Sequence, residues 1–367
     1  MRKKKWIFGL MALLSMFLMG DMAPHASADE LYEQSGTSGL YNELDQDTRN
    51  LLDGLGVDSG VVTEEISGEG IWDTISSMVR DTLFAPAKSL AALTAVGILA
   101  RLCECFEDGD GMTEQIGILV CGVILSGPLL GLISTCQRVT DTAAAFLGAA
   151  VPVYAGLLGA AGQMAVGSGY SFWAMLAGEI LPVLSTGFLL PVLRIYLALS
   201  IATVISGAPL ARVPGMIYSL SKWSLVTLVT IYTGVLSVQT ALNAQVDAAT
   251  NKAAKLAIST GVPIVGGALG DAVAAIQNSI HIVKSGAGAF GILAVLCIFA
   301  PVMIECLLWL AICLAGQTSG ELLGISQFSG LLGVFSNTVK MILAILASIC
   351  VVCIASAAAI IFAGAGG

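Results

Sequence analysis

Long runs of apolar residues constrain the fold of this chain more than any other feature. The last run, residues 338–362, contains a single charged residue, Lys340. A bilayer core of about 30 Å is crossed by about 20 consecutive apolar residues in a helix, so a run of this length can span a membrane. The composition agrees, with 56% hydrophobic and only 11% charged residues. We therefore interpret the chain as an integral membrane protein.

The distribution of these runs predicts an all-α polytopic membrane protein with about seven to nine membrane segments. Residues 170–206 are too long for one span and contain Pro182 and Pro191, which favours two spans or a kinked pair. The other predicted spans cover residues 83–102, 116–135, 216–240, 287–314 and 338–362. We expect shorter helices at 141–161, where Thr140 or Asp141 caps and Pro152 interrupts, and at 272–284.

Residues 1–28 have the pattern of a secretory signal peptide. Arg2, Lys3, Lys4 and Lys5 precede an apolar core, and Ala26-Ser27-Ala28 fits the small-x-small cleavage rule. An uncleaved anchor is the alternative. Both interpretations place the next segment outside the cytoplasm.

The segment 29–82 is acidic and polar, and we expect it to be a short extracytoplasmic region before a membrane domain at 83–367. Between Asp29 and Asp81 there are thirteen acidic residues against two arginines. The segment has too little apolar material for an independent core, so we predict short amphipathic helices that dock on a partner or on the membrane face. A disordered spacer over 29–60 is the alternative. The absence of a basic stripe argues against nucleic-acid binding.

Cysteine and histidine usage argues against a metal, cofactor or catalytic site. Cys103 and Cys105 are the one candidate pair for a metal, but no histidine accompanies them. Only His25 and His281 occur, and the sequence lacks HExxH, GxSxG and P-loop motifs. We therefore expect a non-enzymatic protein without a cofactor. Seven cysteines sit in apolar runs, where they should pack as small hydrophobic residues: Cys121, Cys136, Cys297, Cys306, Cys313, Cys350 and Cys353.

One stretch, residues 247–272, is less apolar than the spans around it. Asp247, Asn251, Lys255 and Ser259 are spaced four apart and form a polar stripe on a helix. We predict that Asp247 caps this helix and that Gly261 and Pro263 end it. About thirteen residues give roughly 20 Å, too short to cross a bilayer core. The helix is either a surface connector or an element of the core.

The same stretch has a counterpart earlier in the chain. VPVYAGLLGAA at 151–161 aligns without gaps to VPIVGGALGDA at 262–272. This match suggests a two-fold internal repeat, roughly 116–206 and 219–316, with an interface or central site between the halves. A chance match among common residues is the alternative. The candidate motif residues are Pro152, Gly156 and Gly159 in the first copy, and Pro263, Gly266, Gly267 and Gly270 in the second.

Four charged residues in or beside apolar runs are candidate functional residues. A charge inside the bilayer is unfavourable unless it is paired, neutralised or hydrated. Glu179 and Arg194 can lie near the interfaces, or meet through a helical hairpin, whereas Glu305 has no obvious local partner. With Asp271, we hypothesise that these residues line a polar interior or a subunit seam.

Four segments carry a resemblance to a known family: VPVYAGLLGAAG (151–162), SKWSLVTLVTIYTGVLSVQ (221–239), DAATNKAAKLAI (247–258) and VPIVGGALGDAV (262–273). They are similar to the stage III sporulation protein AE family of endospore-forming bacteria. The similarity covers roughly residues 85–367. The order of signal peptide, polar extracytoplasmic region and multiple spans also agrees.

The resemblance implies a multi-pass protein of the mother-cell membrane around the forespore. Members of the family belong to the channel complex between the two cells, with the other stage III A-operon proteins and the forespore stage II Q protein as partners. The family is permease-like, has no assigned substrate and contributes no catalytic residues here. Membrane lipid and further copies of the chain are other expected partners. The alternative is a free-standing secondary transporter or permease of an unknown small solute.

Overall fold

The computed structural model describes residues 37–58, 61–62, 68–104, 112–206, 212–261, 266–322 and 326–362. The predicted signal peptide at 1–28 lies outside the described residues. The described part is almost entirely helical, with one short antiparallel hairpin that pairs Val57 with Val62 and Asp58 with Val61. Its elements are α1 Thr37–Glu43, α2 Gln46–Gly54, β1 Val57–Asp58, β2 Val61–Val62, α3 Gly68–Glu104, α4 Met112–Ala160, α5 Met164–Leu184, a π-helical turn Ser185–Leu189, α6 Leu190–Ser206, α7 Arg212–Gly261, α8 Gly266–Leu322 and α9 Ser326–Phe362.

Six helical segments of the described part are long and apolar enough to cross a membrane, which confirms an all-α polytopic fold. They are Trp72–Leu99, Leu119–Ala160, Met164–Val204, Val213–Thr250, Gly286–Leu322 and Phe328–Ile361. The predicted count of seven to nine segments is not confirmed. The structure has fewer and longer helices because several segments predicted as separate are continuous.

α4 is the clearest case of separately predicted segments that form one continuous helix. The short helix predicted to begin at Thr140 or Asp141 and to break at Pro152 is wrong, because α4 runs through all three positions. Thr140 is buried, and its hydroxyl donates to the carbonyl of Cys136 within the helix. Proline removes one backbone N–H and crowds the carbonyl four residues earlier. A long membrane helix tolerates this because its other hydrogen bonds and its packing persist.

α7 also joins two predicted elements, the span at 216–240 and the short helix from Asp247. Residues 235–260 contain neither glycine nor proline, so nothing in that sequence interrupts the helix. Asp247 therefore lies inside a 50-residue helix and does not cap its own N-terminus. α7 ends at Gly261, the residue predicted to stop it. In the same way, α8 joins the predicted helix at 272–284 to the span at 287–314.

The long apolar region 170–206 is helical throughout apart from a π turn, so it belongs to one candidate span and does not form two separate spans. Pro182 lies in the last turn of α5, where it has no N–H to donate. The N–H of Leu190 reaches back to the carbonyl of Ser185, the five-residue spacing of a π-helix. The Thr186 hydroxyl donates to the Pro182 carbonyl at 2.6 Å, so that carbonyl keeps a partner.

The long helices pack as an antiparallel bundle with two distinct ends. At one end, Phe328 of α9 lies against Gly97 of α3 and Gly320 of α8. At the other end of the bundle, α4 and the last turns of α9 meet the segment of α8 around Ala287. The core is apolar, and the seven cysteines predicted to pack there are free and buried. Outward-facing apolar side chains, such as Trp223 of α7 at 69% exposure, provide a lipid-facing surface.

The helices are longer than a bilayer core. α4 has 49 residues, which at 1.5 Å per residue is about 73 Å. α8 has 57 residues and is about 85 Å long. Because the core is about 30 Å thick, much of each helix extends beyond the hydrocarbon region.

The acidic N-terminal region docks on the membrane helices of its own chain. α1 contacts α4, and α2 contacts α8 and α3. Leu40, Leu44 and Leu52 are almost fully buried, so the predicted amphipathic helices exist. Burial of these leucines against the bundle explains how a segment with too little apolar material for its own core is held in place.

The internal repeat stays a prediction. Residues 262–265, at the start of the second copy of the aligned motif, lie outside the described residues, and residues 266–272 lie in α8. In the first copy, residues 151–160 lie inside α4.

Candidate functional site

The connection between α4 and α5 is a tight helix-ending turn. Gly162 has a φ of 77°, a left-handed conformation that glycine adopts without strain. The Gly162 N–H donates to the Gly159 carbonyl, and the Gln163 N–H donates to the Leu158 carbonyl at 2.8 Å. These two bonds form a Schellman motif, which satisfies carbonyls at the end of α4 and turns the chain directly into α5.

Asp247 of α7 caps the N-terminus of α5, more than 80 positions earlier in the chain. One carboxylate oxygen accepts the Ala165 N–H at 3.0 Å, and the other accepts the Val166 N–H at 2.9 Å. Gln163 precedes α5 without a side-chain capping bond of its own. Asp247 is only 6% exposed, so its carboxylate lies in the packed contact between α7 and the start of α5, at the positive end of the α5 dipole. This contact region is called the Asp247 junction.

The turns above this cap are fitted closely to α7. A Cβ at Gly169 would collide with the Asn243 amide nitrogen and approach the Gln239 side-chain oxygen. Gln239, Asn243 and Asp247 are spaced four apart, so they continue the predicted polar stripe toward the N-terminus of α7. The part of this stripe that the structure describes faces α5. It is neither a surface connector nor the lining of a described cavity.

A buried tyrosine joins α4 to α8 at the same end of the bundle. The Tyr154 hydroxyl donates to the Ala287 carbonyl at 3.1 Å, and the side chain is 1% exposed. A Cβ at Gly291 would collide with that hydroxyl. Tyr170 of α5 packs on the ring of Tyr154, with centroids 6.3 Å apart. The α4–α5 turn, the Asp247 cap and the Tyr154 contact thus fix four helices against one another.

The four predicted charges do not converge on one site. Glu305 is half-buried in α8, within the electrostatic influence of Arg138 of α4 and within hydrogen-bonding reach of the Trp309 side chain. Glu179 and Arg194 are exposed on opposite sides of the π turn. The helical hairpin that would bring those two together is not formed, because α5, the π turn and α6 follow one another without a loop.

Several predicted residues fall at positions where the side chains are not described. These are Asn251, Lys255, Ser259 and Asp271, while Pro263 lies outside the described residues altogether. Gly266, Gly267 and Gly270 lie in the first turns of α8. In the first copy of the motif, Pro152 and Gly156 are exposed on α4, and Gly159 abuts the Met164 sulfur.

Sequence reasoning missed the residues that complete the junction. Gly167 and Gly169 lie in the first turns of α5, and the GSG pattern they form was the available signal for close approach. Gln239 and Asn243 had the same four-residue spacing as the stripe below them. No local signal indicated Arg138 as the charged neighbour of Glu305, because the two lie on helices that are distant in sequence.

In the described residues, no group of three or more His, Cys, Asp or Glu side chains is placed to hold a metal ion. The described polar groups of the junction are directed at backbone and at one another. Their arrangement fixes helices and offers no exposed nucleophile paired with a base.

The sequence profile of the family described as stage III sporulation protein AE matches residues 59–364. The chain belongs to that family. The match includes all of α3 to α9, and with them Asp247 and the residues it contacts. No curated protein and no solved structure shows significant similarity to the chain. Membership in the stage III sporulation protein AE family gives the protein a sporulation-related role in a membrane.

Proposed function

We propose that the protein is a non-enzymatic, permease-like component of the membrane complex that joins the mother cell to the engulfed forespore. Family membership supports the role in sporulation. The resemblance described above supplies the expected partners, the other stage III A-operon proteins and the forespore stage II Q protein. The protein then resides in the mother-cell membrane around the forespore.

The observation that carries this proposal is the docking of an acidic segment on one end of an apolar bundle. The apolar side of α1 and α2 is buried against the chain's own membrane helices. Their charged side is therefore presented in a fixed position and not on a flexible spacer. A fixed charged surface at the end of a membrane bundle is suited to binding a protein. The exposed acidic residues are Glu43, Asp45, Asp47 and Asp53.

We expect this surface to lie outside the cytoplasm, on the side of the membrane where α3 begins. Gly54 lies beside Thr74, near the start of α3. The other end of α3 packs against the α8–α9 connection. A signal peptide before the acidic segment would export it, and α3 would then enter the membrane from outside. The acidic surface and the Asp247 junction would both face the space between the two cells.

Substitution of Glu43, Asp45, Asp47 and Asp53 by their amides tests the proposed contact. Co-purification with the other stage III A-operon proteins from sporulating cells should fall at least tenfold, while membrane accumulation stays normal. Glu179→Gln, which removes an exposed acid outside this segment, is the control and should retain co-purification. Unchanged co-purification of the fourfold variant would show that the acidic surface is not the contact.

A transporter that acts alone is the second candidate, and the π turn favours it. Ser185 lines a small cavity between α5, α7 and α9, and its buried hydroxyl has no hydrogen-bond partner in the described structure. The cavity has room for about one water molecule. A π turn beside free space is a place where a helix can change its register. Transport of a defined solute by the purified protein in vesicles would favour this candidate over the complex.

A further inference from the structure

One long face of α4 is exposed along most of the helix, yet it has the composition of a packed interface. From Gly127 to Ala160 this face is about 50 Å long. Apart from Leu130, its outward-facing residues are small or carry the charges of one Arg–Asp pair. They are Gly127, Gly131, Ser134, Arg138, Asp141, Ala145, Gly148, Pro152, Gly156 and Ala160.

These glycines make no close packing contact with the other described helices. Within the described residues, a Cβ placed at Gly127, Gly131, Gly148 or Gly156 would meet no atom of another element within 4 Å. Glycine in a helix interior is about 1 kcal/mol less favourable than alanine, and proline about 3 kcal/mol. A helix face in contact with lipid typically carries large apolar side chains, as α7 does with the exposed Met216 and Trp223. Small residues on a membrane helix allow the close approach of another helix.

Arg138 and Asp141 lie near the middle of this face, one turn apart and both exposed. Both lie within Leu119–Ala160, one of the described segments that are long and apolar enough to cross a membrane. Ionisable residues within such segments are normally covered by protein. A face that carries both charges at this spacing is complementary to itself. Two copies related by a two-fold axis parallel to α4 would place Arg138 of each beside Asp141 of the other.

We propose that this face of α4 is the interface through which two copies of the chain associate in the membrane. The small residues above and below the charges let the two α4 helices approach closely, and the reciprocal Arg138–Asp141 pairs fix their relative height. Pro152 and Gly156, which the sequence motif singled out, belong to this interface. The inference concerns self-association and holds whether or not the protein acts in the complex proposed above.

Co-purification of two differently tagged full-length copies from the same membranes tests the interface. Glu305 lies within the electrostatic influence of Arg138, so the charge is changed at Asp141, which leaves both of those residues in place. Asp141→Lys would place like charges opposite each other and should reduce co-purification at least tenfold. Gly148→Leu and Gly156→Leu should do the same by blocking close approach. Gly234→Leu is the matched control, because Gly234 is an exposed glycine on α7 whose Cβ would also be in open space.

Ala145→Cys tests the interface by cross-linking two copies, without weakening their association. In the proposed dimer the two copies of residue 145 lie close to the two-fold axis, so oxidation should link them. Ala241→Cys on the exposed face of α7 should give no more dimer than the unsubstituted chain. A monomeric mass of the unsubstituted protein in lipid nanodiscs would overturn the proposal. Equal self-association of Asp141→Lys, Gly148→Leu and the control would overturn it as well.

Discussion

The carboxylate of Asp247 accepts the backbone N–H of Val166 at 2.9 Å, although the two residues lie on different helices and 81 positions apart. The second carboxylate oxygen accepts the neighbouring N–H of Ala165. A buried side chain in the middle of α7 thereby replaces the local cap that α5 lacks. The bonds tie the polar stripe of α7 to the helix start that follows the α4–α5 turn.

Replacing Asp247 by alanine should destabilise the protein. Two N–H groups at a largely buried helix start would lose their acceptor, which costs about 1–3 kcal/mol for each group that finds no water. Asp247→Asn keeps one acceptor oxygen and should have a smaller effect. Thermal unfolding in detergent measures the difference. Glu179→Ala, at an exposed position of α5, should leave the midpoint unchanged, and an equal midpoint for Asp247→Ala would contradict the capping role.

The contact between Tyr154 and Gly291 predicts non-additive substitutions. Gly291→Ala should destabilise by about 1–3 kcal/mol, because the new methyl group meets the tyrosine hydroxyl and forces it to move. Tyr154→Phe should cost about 1 kcal/mol through the lost bond to the Ala287 carbonyl. In the double variant the hydroxyl is absent, so its destabilisation should be smaller than the sum of the two single effects. Gly234→Ala is the control for a glycine in open space, and strict additivity would count against the contact.

Glu305 and Arg138 should behave as a coupled pair. Each charge lies within the electrostatic influence of the other, so Glu305→Gln and Arg138→Gln should each lower the thermal midpoint. The double variant should be no worse than the more harmful single one. Arg194→Leu, at an exposed position of α6, should be neutral or stabilising by the same measurement. Independent effects of Glu305→Gln and Arg138→Gln would show that the pair does not hold α4 to α8.

The π turn predicts an unusual result for Ser185. Its hydroxyl is buried without a partner in the described structure, so Ser185→Ala should be neutral or mildly stabilising. Ser348 lines the same cavity, and its hydroxyl donates to the Ala344 carbonyl at 2.7 Å. Ser348→Ala should therefore be slightly destabilising, by up to about 1 kcal/mol. Marked destabilisation by Ser185→Ala would indicate that a bound water or another group satisfies the hydroxyl.

The sequence predicted the fold class because apolar run length is a physical requirement for crossing a bilayer. It also indicated an interruption near Pro182, where the π turn lies, and the helix end at Gly261. It fails where it predicts a helix end at a polar cluster. Asp141 and Asp247 both resemble N-caps locally, yet each lies inside a helix whose flanking residues have no reason to break. Polar side chains do not end a helix when their neighbours are good helix formers.

The candidate site was less accessible to sequence reasoning because its partners are distant along the chain. Asp247 was recognised as a capping residue, but its capped helix could not be identified without the packing of α7 on α5. Glu305 was recognised as an unpaired charge, but Arg138 lies 167 positions away in sequence. Periodicity places residues on a face, and tertiary packing decides what that face meets.

Deletion of the gene in an endospore-forming host that carries it tests the central claim most directly. The measurement is the fraction of sporulating cells that proceed beyond engulfment to heat-resistant spores, with vegetative growth rate as the control. The proposed function predicts normal growth and a block after engulfment, with loss of late forespore gene expression. Normal yields of heat-resistant spores from the deletion strain would contradict it.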